Sequence, residues 1–475
     1  MIKNKTKKIH LIGICGKGMS ALAILLKEKG FRVTGTDEGF YEPILGLLKK
    51  NNIKFNTKYS AENIPEDADT IIIGNHAGLN KNTNEEVAKA FSSGIPIQSL
   101  PEGLALLANK TENTIVVGSF GKSTTSALLA WCLEKSKKNP SYFIGAMPLG
   151  MKKNAHLSKS RHFIFEGDEY PSAGWDPRAK FLHLNPTNAI FTSAEHDHIN
   201  VFPTEKDYIK PYQKFISLLP AKGLLIYSKN GKNVASITSK TKSKKVDYGI
   251  SKDSTWHPEN IKYGEKTTFD LYKNNKKIIN LSTKMLGMHN IENIIGVSAF
   301  LLEKKLLSPT ELQKSIASFK GISGRLDLKS DKTSVQIYEG FGSSYSKAQS
   351  VFSALKLHFP NKKLITIFEP HTFSWRNKQA SAWYKDIFET SEVVIVLPPP
   401  THGATTHQQM SFQEIVTEIK KYKKEVYAGK NEKEVLSVLN KIVKKDDIIA
   451  LISSGPLLGL TKSVPNLMET KFPKK

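Results

Sequence analysis

Cysteine is nearly absent from this chain of 475 residues, which has only Cys15 and Cys132. One lies beside a glycine loop and the other in an apolar helical stretch. This excludes a disulfide framework and points to a reducing, cytoplasmic setting. Long apolar runs are lacking too. The stretch "MIKNKTKKIHLIGICG" has a basic lead, but Gly13, Gly16, Lys17 and Gly18 interrupt its apolar run, so it does not read as a signal peptide, and no segment reads as a membrane span. There is no internal repeat and no long low-complexity tract. Acidic residues are the minority, 44 against 69 Lys+Arg, for a net charge of +25. Such a balance raises nucleic-acid binding. Lysine is nevertheless dispersed, as in "KKNNIKFNTK" and "SKTKSKKVD", and no helix carries a basic stripe interleaved with aromatics. The charge reads as a lysine-rich surface suited to small anionic ligands, with no nucleic-acid or membrane partner; oligomeric state is not legible.

Hydrophobic residues make up 39% and charged residues 24%, the balance of a soluble globular protein, and the length allows two to four domains. Strands and helices alternate, which argues for an α/β chain with mainly parallel sheets. "KIHLIGICG" is a strand entering a Gly-rich turn, followed by the helix "MSALAILLKEKG" and the strands "RVTGTD" and "TIIIGN". After "LANKTEN" the pattern restarts with "TIVVGSFGKSTTSALLAWCLEK", and "HFIFEGD", "NAIFTS" and "GLLIYS" add strands. Residues 228–283 read as a β-rich insertion, and "MLGMHNIENIIGVSAFLLEKK" opens a helix after a glycine turn. Beyond "FKGISGR" the alternation resumes with "SVQIYEGFG", "KLITIFEP", "EVVIVLPPP" and "DIIALISSG". The expectation is three domains, 1–108, 109–322 and 323–475, each with its own parallel sheet.

"GSFGKST" sets Gly118, Gly121, Lys122 and Ser123 between an apolar strand and a helix. The amides of such a turn and the helix N-terminus nest phosphate oxygens, with Lys122 on the β/γ-phosphates and the Ser123 hydroxyl on Mg²⁺. The spacing is G-x-x-G-K-[ST], shorter than the usual bracket because position 116 is Val. In "GICGKGMS" the glycines stand at 13, 16 and 18, an inverted order relative to the dinucleotide fingerprint, and Asp37 closes the next strand where an acid can read a ribose hydroxyl. A nucleotide diphosphate fits this loop; NAD(P), or a merely tight turn, competes. "FEGDEY" ends a strand with Glu166, Asp168 and Glu169, a place for a Mg²⁺-binding carboxylate. "TSAEHDHINVF" carries His196 and His198, but the further ligands a zinc site needs are absent at suitable spacing, and a solvated turn reads equally well.

Taken in order, these motifs resemble the Mur ligase superfamily, the ATP-dependent amide-forming enzymes of peptidoglycan synthesis. "GSFGKSTT" resembles the family's GTxGKTTT loop, "EGDEY" its E-A-D-E segment and "EHDHINVF" its (D/E)-x-D-H-x-D segment. "GMHNIENIIG" is similar to G-x-H-N-x-x-N, and "GISGRLDL" to the G-R entry into the third domain. The resemblance implies a Rossmann-like UDP-binding domain, a P-loop ATPase-type central domain and a Rossmann-like C-terminal acceptor domain. Two branches compete: "EGDEYPSAGWDPRAKFLHLNPTNAIFTS" resembles ligases that add the tripeptide L-alanyl-γ-D-glutamyl-meso-diaminopimelate to UDP-N-acetylmuramate, whereas "FEPHTFSWR" looks closer to the L-alanine-adding branch.

By the resemblance, Gly118, Ser119, Gly121, Lys122, Ser123 and Thr124 hold ATP, and Ser123, Glu166 and His198 hold Mg²⁺. Asn290 and Asn293 face the adenine and ribose; the alternative reading is that they are helix-capping amides. Arg325 meets the transferring phosphoryl group, and His371 lies by the incoming amino acid. Gly16, Lys17, Gly18, Met19, Ser20 and Asp37 match the uridine-diphosphate loop. The sequence departs from the pattern in the third domain: where D-D-(Y/F)-(A/G)-H-H-P is usual it reads "EGFGSSYSK", with Gly340, Ser343, Ser344 and Tyr345 in place of Asp, His, His and Pro. Ser119 and Phe120 stand for the usual Thr and His, and Asn200 for an Asp.

Overall fold

The computed structural model describes residues 7–42, 44–198, 201–400 and 408–474, so Asn200 lies outside the described residues. The chain forms two compact units. One comprises residues 1–259, 270–281 and 292–316, the other 260–269, 282–291 and 317–475.

The first unit holds two parallel sheets. The five-stranded one runs Lys54–Asn56, Arg32–Thr36, Lys8–Ile12, Thr70–Ile73, Ile97–Ser99, all parallel. Ile9, Leu11 and Ile12 are buried around a hydrogen-bonded His10, and Ile71, Ile72 and Ile73 form the continuous apolar run that a sheet covered on both faces requires. Chain order reverses at Lys8–Ile12, so a crevice opens beyond its carboxyl end, where Gly13 follows. In the second sheet the parallel strands run Lys244–Tyr248, Leu224–Ser228, Asn188–Phe191, Glu112–Val117, His162–Glu166, Ser141–Phe143, with Ala155–His156 antiparallel at one edge. The helix Lys122–Lys135 follows the central strand and is buried from Thr125 through Leu133. Cys132 sits inside it, and burial pushes its thiol well above the usual range; Cys15 is likewise free, buried and raised to about 12 by burial and the charge of Asp37.

Residues 228–283 supply the expected strands, and also a short helix, Val234–Thr238, that their polar turns had concealed. In the second unit, Gln336–Phe341, Ile448–Ser453, Leu364–Phe368, Val393–Val396 and Glu425–Ala428 pair in that order in parallel, with Asp327–Leu328 antiparallel at the edge. Among the described residues no helix is long and apolar enough to cross a membrane.

Candidate nucleotide-binding site

The strand Glu112–Val117 delivers Gly118 at φ 140° and Gly121 at φ 80° before the helix begins at Lys122. Both glycines are also required by space. A Cβ on Gly118 would stand 2.2 Å from Thr192 Oγ1, and one on Gly121 2.6 Å from Asn293 Oδ1. Thr192 Oγ1 donates to the Phe120 carbonyl at 2.5 Å, and Ser119 Oγ to the Glu195 carbonyl at 2.6 Å, so the loop is pinned from outside itself. Asn293 also accepts from Thr125 Oγ1 at 3.1 Å. Thr124 is half-buried in the helix's first turn.

Lys122 Nζ donates to the Gly118 carbonyl at 2.5 Å and to Glu169 Oε2 at 2.8 Å. Burial alone would lower its pKa, but Glu169, then Glu166 and Asp168, outweigh burial and raise it. The ammonium is therefore charged at neutral pH. Ser123 Oγ donates to Glu166 Oε1 at 2.6 Å, while Glu166 Oε2 accepts from the Gly145 amide at 2.7 Å. His198, at φ 59°, sets Nε2 3.4 Å from Glu169 Oε1, and its Nδ1 is 2.9 Å from the Tyr170 hydroxyl. His196 does something else: its Nε2 meets the Phe202 carbonyl at 2.7 Å. The adjoining Ser123 and Glu166 oxygens are hard donors of the kind a Mg²⁺ site draws on, and the His198 nitrogen beside Glu169 is a softer neighbour to them.

In the first loop, Gly13 and Ile14 donate to the Thr36 carbonyl at 2.8 and 3.1 Å. Asp37 accepts the Cys15 amide at 2.7 Å on Oδ2, and on Oδ1 the Glu38 amide at 2.8 Å and the Gly39 amide at 3.1 Å. This carboxylate thus shapes the loop first; the second lone pair of Oδ2 is what a ribose hydroxyl would use. Lys17 is exposed at the start of helix Lys17–Glu28, and the buried Ser20 turns its Oγ back to the Lys17 carbonyl at 3.2 Å. Gly13, Gly16, Gly18, Met19 and Asp37 line one cleft of about 540 Å³ together with Lys122, Glu166, Asp168, Tyr170 and Lys180. The lysine that follows the second glycine loop therefore borders the same space as the first loop.

Three sequence candidates belong to the second unit. Asn290 Nδ2 donates to the Leu286 carbonyl at 2.8 Å, a helix-start contact. The Arg325 guanidinium stacks over Phe341, 3.6 Å from the ring centroid. His371 Nδ1 lies 3.4 Å from Glu369 Oε1, and buried Glu369 also accepts from Ser453 Oγ at 2.6 Å and the Leu457 amide at 3.0 Å. Ser344 precedes the helix Tyr345–His358 without a side-chain cap bond.

Sequence reasoning missed the role of Glu169. Its side chain is 1% exposed and joins Lys122 to His198, and Tyr208 and Ser119 back it. The alternation of acids in "EGDEY" was the available signal, since residues 166, 168 and 169 cannot all face one way. Lys180, which holds Asp168 at 2.7 Å, left no motif at all.

A lysine–serine loop on a parallel sheet, backed by an acidic strand end and opening on a second glycine loop, defines a nucleotide-dependent α/β enzyme. Comparison with known proteins narrows the class. The Mur ligase middle domain matches residues 116–301, and the Mur ligase family catalytic domain matches residues 8–112. The chain belongs to the Mur ligase family, whose members are ATP-dependent, ADP-forming ligases of peptidoglycan synthesis. A UDP-N-acetylmuramate–L-alanine ligase of Pelagibacter ubique is 28% identical, covering 98% of this chain and 99% of that one. A UDP-N-acetylmuramate:L-alanyl-γ-D-glutamyl-meso-diaminopimelate ligase from Neisseria meningitides superposes with a TM-score of 0.61 at 27% identity, over 66% of this chain and 98% of that one. A UDP-N-acetylmuramate–alanine ligase of Thermotoga maritima shares the fold at a TM-score of 0.75 and 21% identity, over 98% and 99%. The three sheets are thus the three-domain architecture of this family.

Proposed function

We propose that this ligase joins the lactyl carboxylate of UDP-N-acetylmuramate to the amine of L-alanyl-γ-D-glutamyl-meso-diaminopimelate, in cytoplasmic peptidoglycan recycling. The carboxylate attacks the γ-phosphate of ATP and ADP leaves. The amine then attacks the acyl phosphate, expelling phosphate. Residues 1–108 hold the uridine diphosphate, 109–322 the ATP, and 323–475 the acceptor.

The carrying observation is the shared cleft, in which Lys122 and Glu166 border the same space as Gly13, Gly16, Met19 and Asp37. A sugar acid and a triphosphate are both anions, so their meeting demands charge neutralisation and alignment. Lys122, charged and aimed by Glu169, does the first, and the loop amides do the second. Ser123, Glu166 and His198 would hold Mg²⁺, which when bound withdraws charge from the phosphates. Arg325 supplies a further cation to the phosphoryl group, Asn290 and Asn293 face the nucleoside, and His371 stands by the amine.

The tripeptide reading is supported by "DEYPSAGWDPRAKF", which forms the hairpin Pro171–Ala173 with Asp176–Ala179 and brings Ser172 and Lys180 to the cleft. L-alanine is the second reading, favoured by the Pelagibacter relative over nearly the whole chain. Purified protein with ATP, Mg²⁺ and UDP-N-acetylmuramate is offered each acceptor separately, and ADP and product mass are followed. ADP with the tripeptide adduct is expected. An alanine adduct alone moves the assignment to the second reading, and binding without ADP overturns a ligase role on these substrates.

A further inference from the structure

One cluster beside the cleft takes no part in this chemistry. Glu102 lies on the helix Leu100–Leu107, Asp176 opens the strand Asp176–Ala179, and His183 ends the turn Lys180–His183. One donor atom from each falls within 4.8 Å of the others. His183 and Asp176 side chains are each 8% exposed.

The cluster is held as if for a ligand. Asp176 is gripped by Arg178, Nε on Oδ1 and Nη2 on Oδ2, both at 2.8 Å. Glu102 Oε2 accepts both the Ser99 amide and the Ser99 hydroxyl at 2.8 Å, which leaves Oε1 as the oxygen nearer His183, 3.9 Å from its Nδ1. His183 Nε2 comes within 3.0 Å of Asp176 Oδ2, yet this buried nitrogen makes no hydrogen bond of normal geometry. If the ring proton sits on Nδ1, the Nε2 lone pair faces a carboxylate oxygen. Two lone pairs converging at 3.0 Å repel unless a positive centre lies between them. A carboxylate oxygen that already accepts one hydrogen bond keeps a second lone pair for such a centre.

We propose that Glu102, Asp176 and His183 form a binding site for a divalent transition-metal ion of the zinc class, separate from the nucleotide's Mg²⁺. One imidazole nitrogen and two carboxylates suit zinc better than Mg²⁺. Ser99 and Arg178 act as the outer partners that orient the donors. Leu100, Pro101, Leu104, Ser172 and Leu184, neighbours of the three ligands in sequence, line the cleft, so the ion fastens one wall of the substrate cleft to another.

The test uses the full chain, stripped with chelator and titrated with Zn²⁺ without nucleotide, so its outcome is independent of the ligase reading. One tight equivalent is expected in the wild type and in His198→Gln. In His183→Gln and in the half-exposed Glu102→Gln, affinity falls by about tenfold or more. Zn²⁺ should raise the thermal midpoint of the wild type and leave that of His183→Gln unmoved. No tight equivalent in the wild type, or equal binding by wild type and both cluster variants, overturns the proposal.

Discussion

At the residue scale, Lys122 and Glu169 form the pair on which the site turns. Lys122→Ala removes a charge that faces the phosphates, and one such contact is worth about 10²–10³ in rate. It also strands Glu169, whose side chain is 1% exposed, and leaving a buried charge unpaired costs about 3–5 kcal/mol. Lys122→Ala should therefore lower both ADP formation and the urea midpoint, and adding Glu169→Gln should recover stability without activity. Glu169→Gln alone should depress turnover, because Lys122 and His198 both lose their aim. If its steady-state rate equals wild type, Glu169 has no positioning role. Lys122 and Ser123 were legible because a fixed spacing dictates a fixed backbone. Glu169 was not, because its task depends on which way three neighbouring acids turn. The departures in "EGFGSSYSK" acquire a partial account: a Cβ on Gly340 would meet Val351 Cγ1 at 2.8 Å, so an Asp there would require Val351 to shift.

Elements were more readable than their partners. The parallel strands announced themselves as short apolar runs, whereas helix starts at a Ser or Asn with Glu three residues on came to light only in the structure. Ser411 and Glu414 make such a reciprocal cap, Ser411 N to Glu414 Oε2 at 2.7 Å and Glu414 N to Ser411 Oγ at 3.2 Å. The Ser411 amide, Lys378 and the Ser411 hydroxyl hold the Glu414 carboxyl down at about 2. A depressed folded-state value means that its contribution is present above the ordinary value of 4.5 and fades as pH falls from there through 2. Carboxyl-resolved NMR should find that low midpoint in the wild type and a higher one in Ser411→Ala. The hairpin of residues 171–179 and the short helix Val234–Thr238 were illegible, since neither has a period long enough to read, and the hairpin's strands are fixed by each other.

For the whole molecule, composition told the sign of the surface and the strand–helix alternation the three large sheets, but neither told which loops would share a cleft. That sharing comes from two sheets each placing a strand end at one opening, a long-range event without a local signature. A net charge of +25 and the anionic ATP and UDP-sugar of the proposed reaction imply electrostatic steering. The kcat/KM for the UDP-sugar should fall as salt rises from about 0.01 to 0.15 M, over which the screening length shrinks from about 30 to 8 Å; a flat response would mean that the surface field plays no part in capture. The contact between Lys122 Nζ and Glu169 carries one more consequence. An arriving triphosphate finds the ammonium already satisfied and must exchange one anion for another. The empty enzyme is thus at ease without its fuel, and nucleotide affinity reflects a swap between rivals rather than the filling of a void.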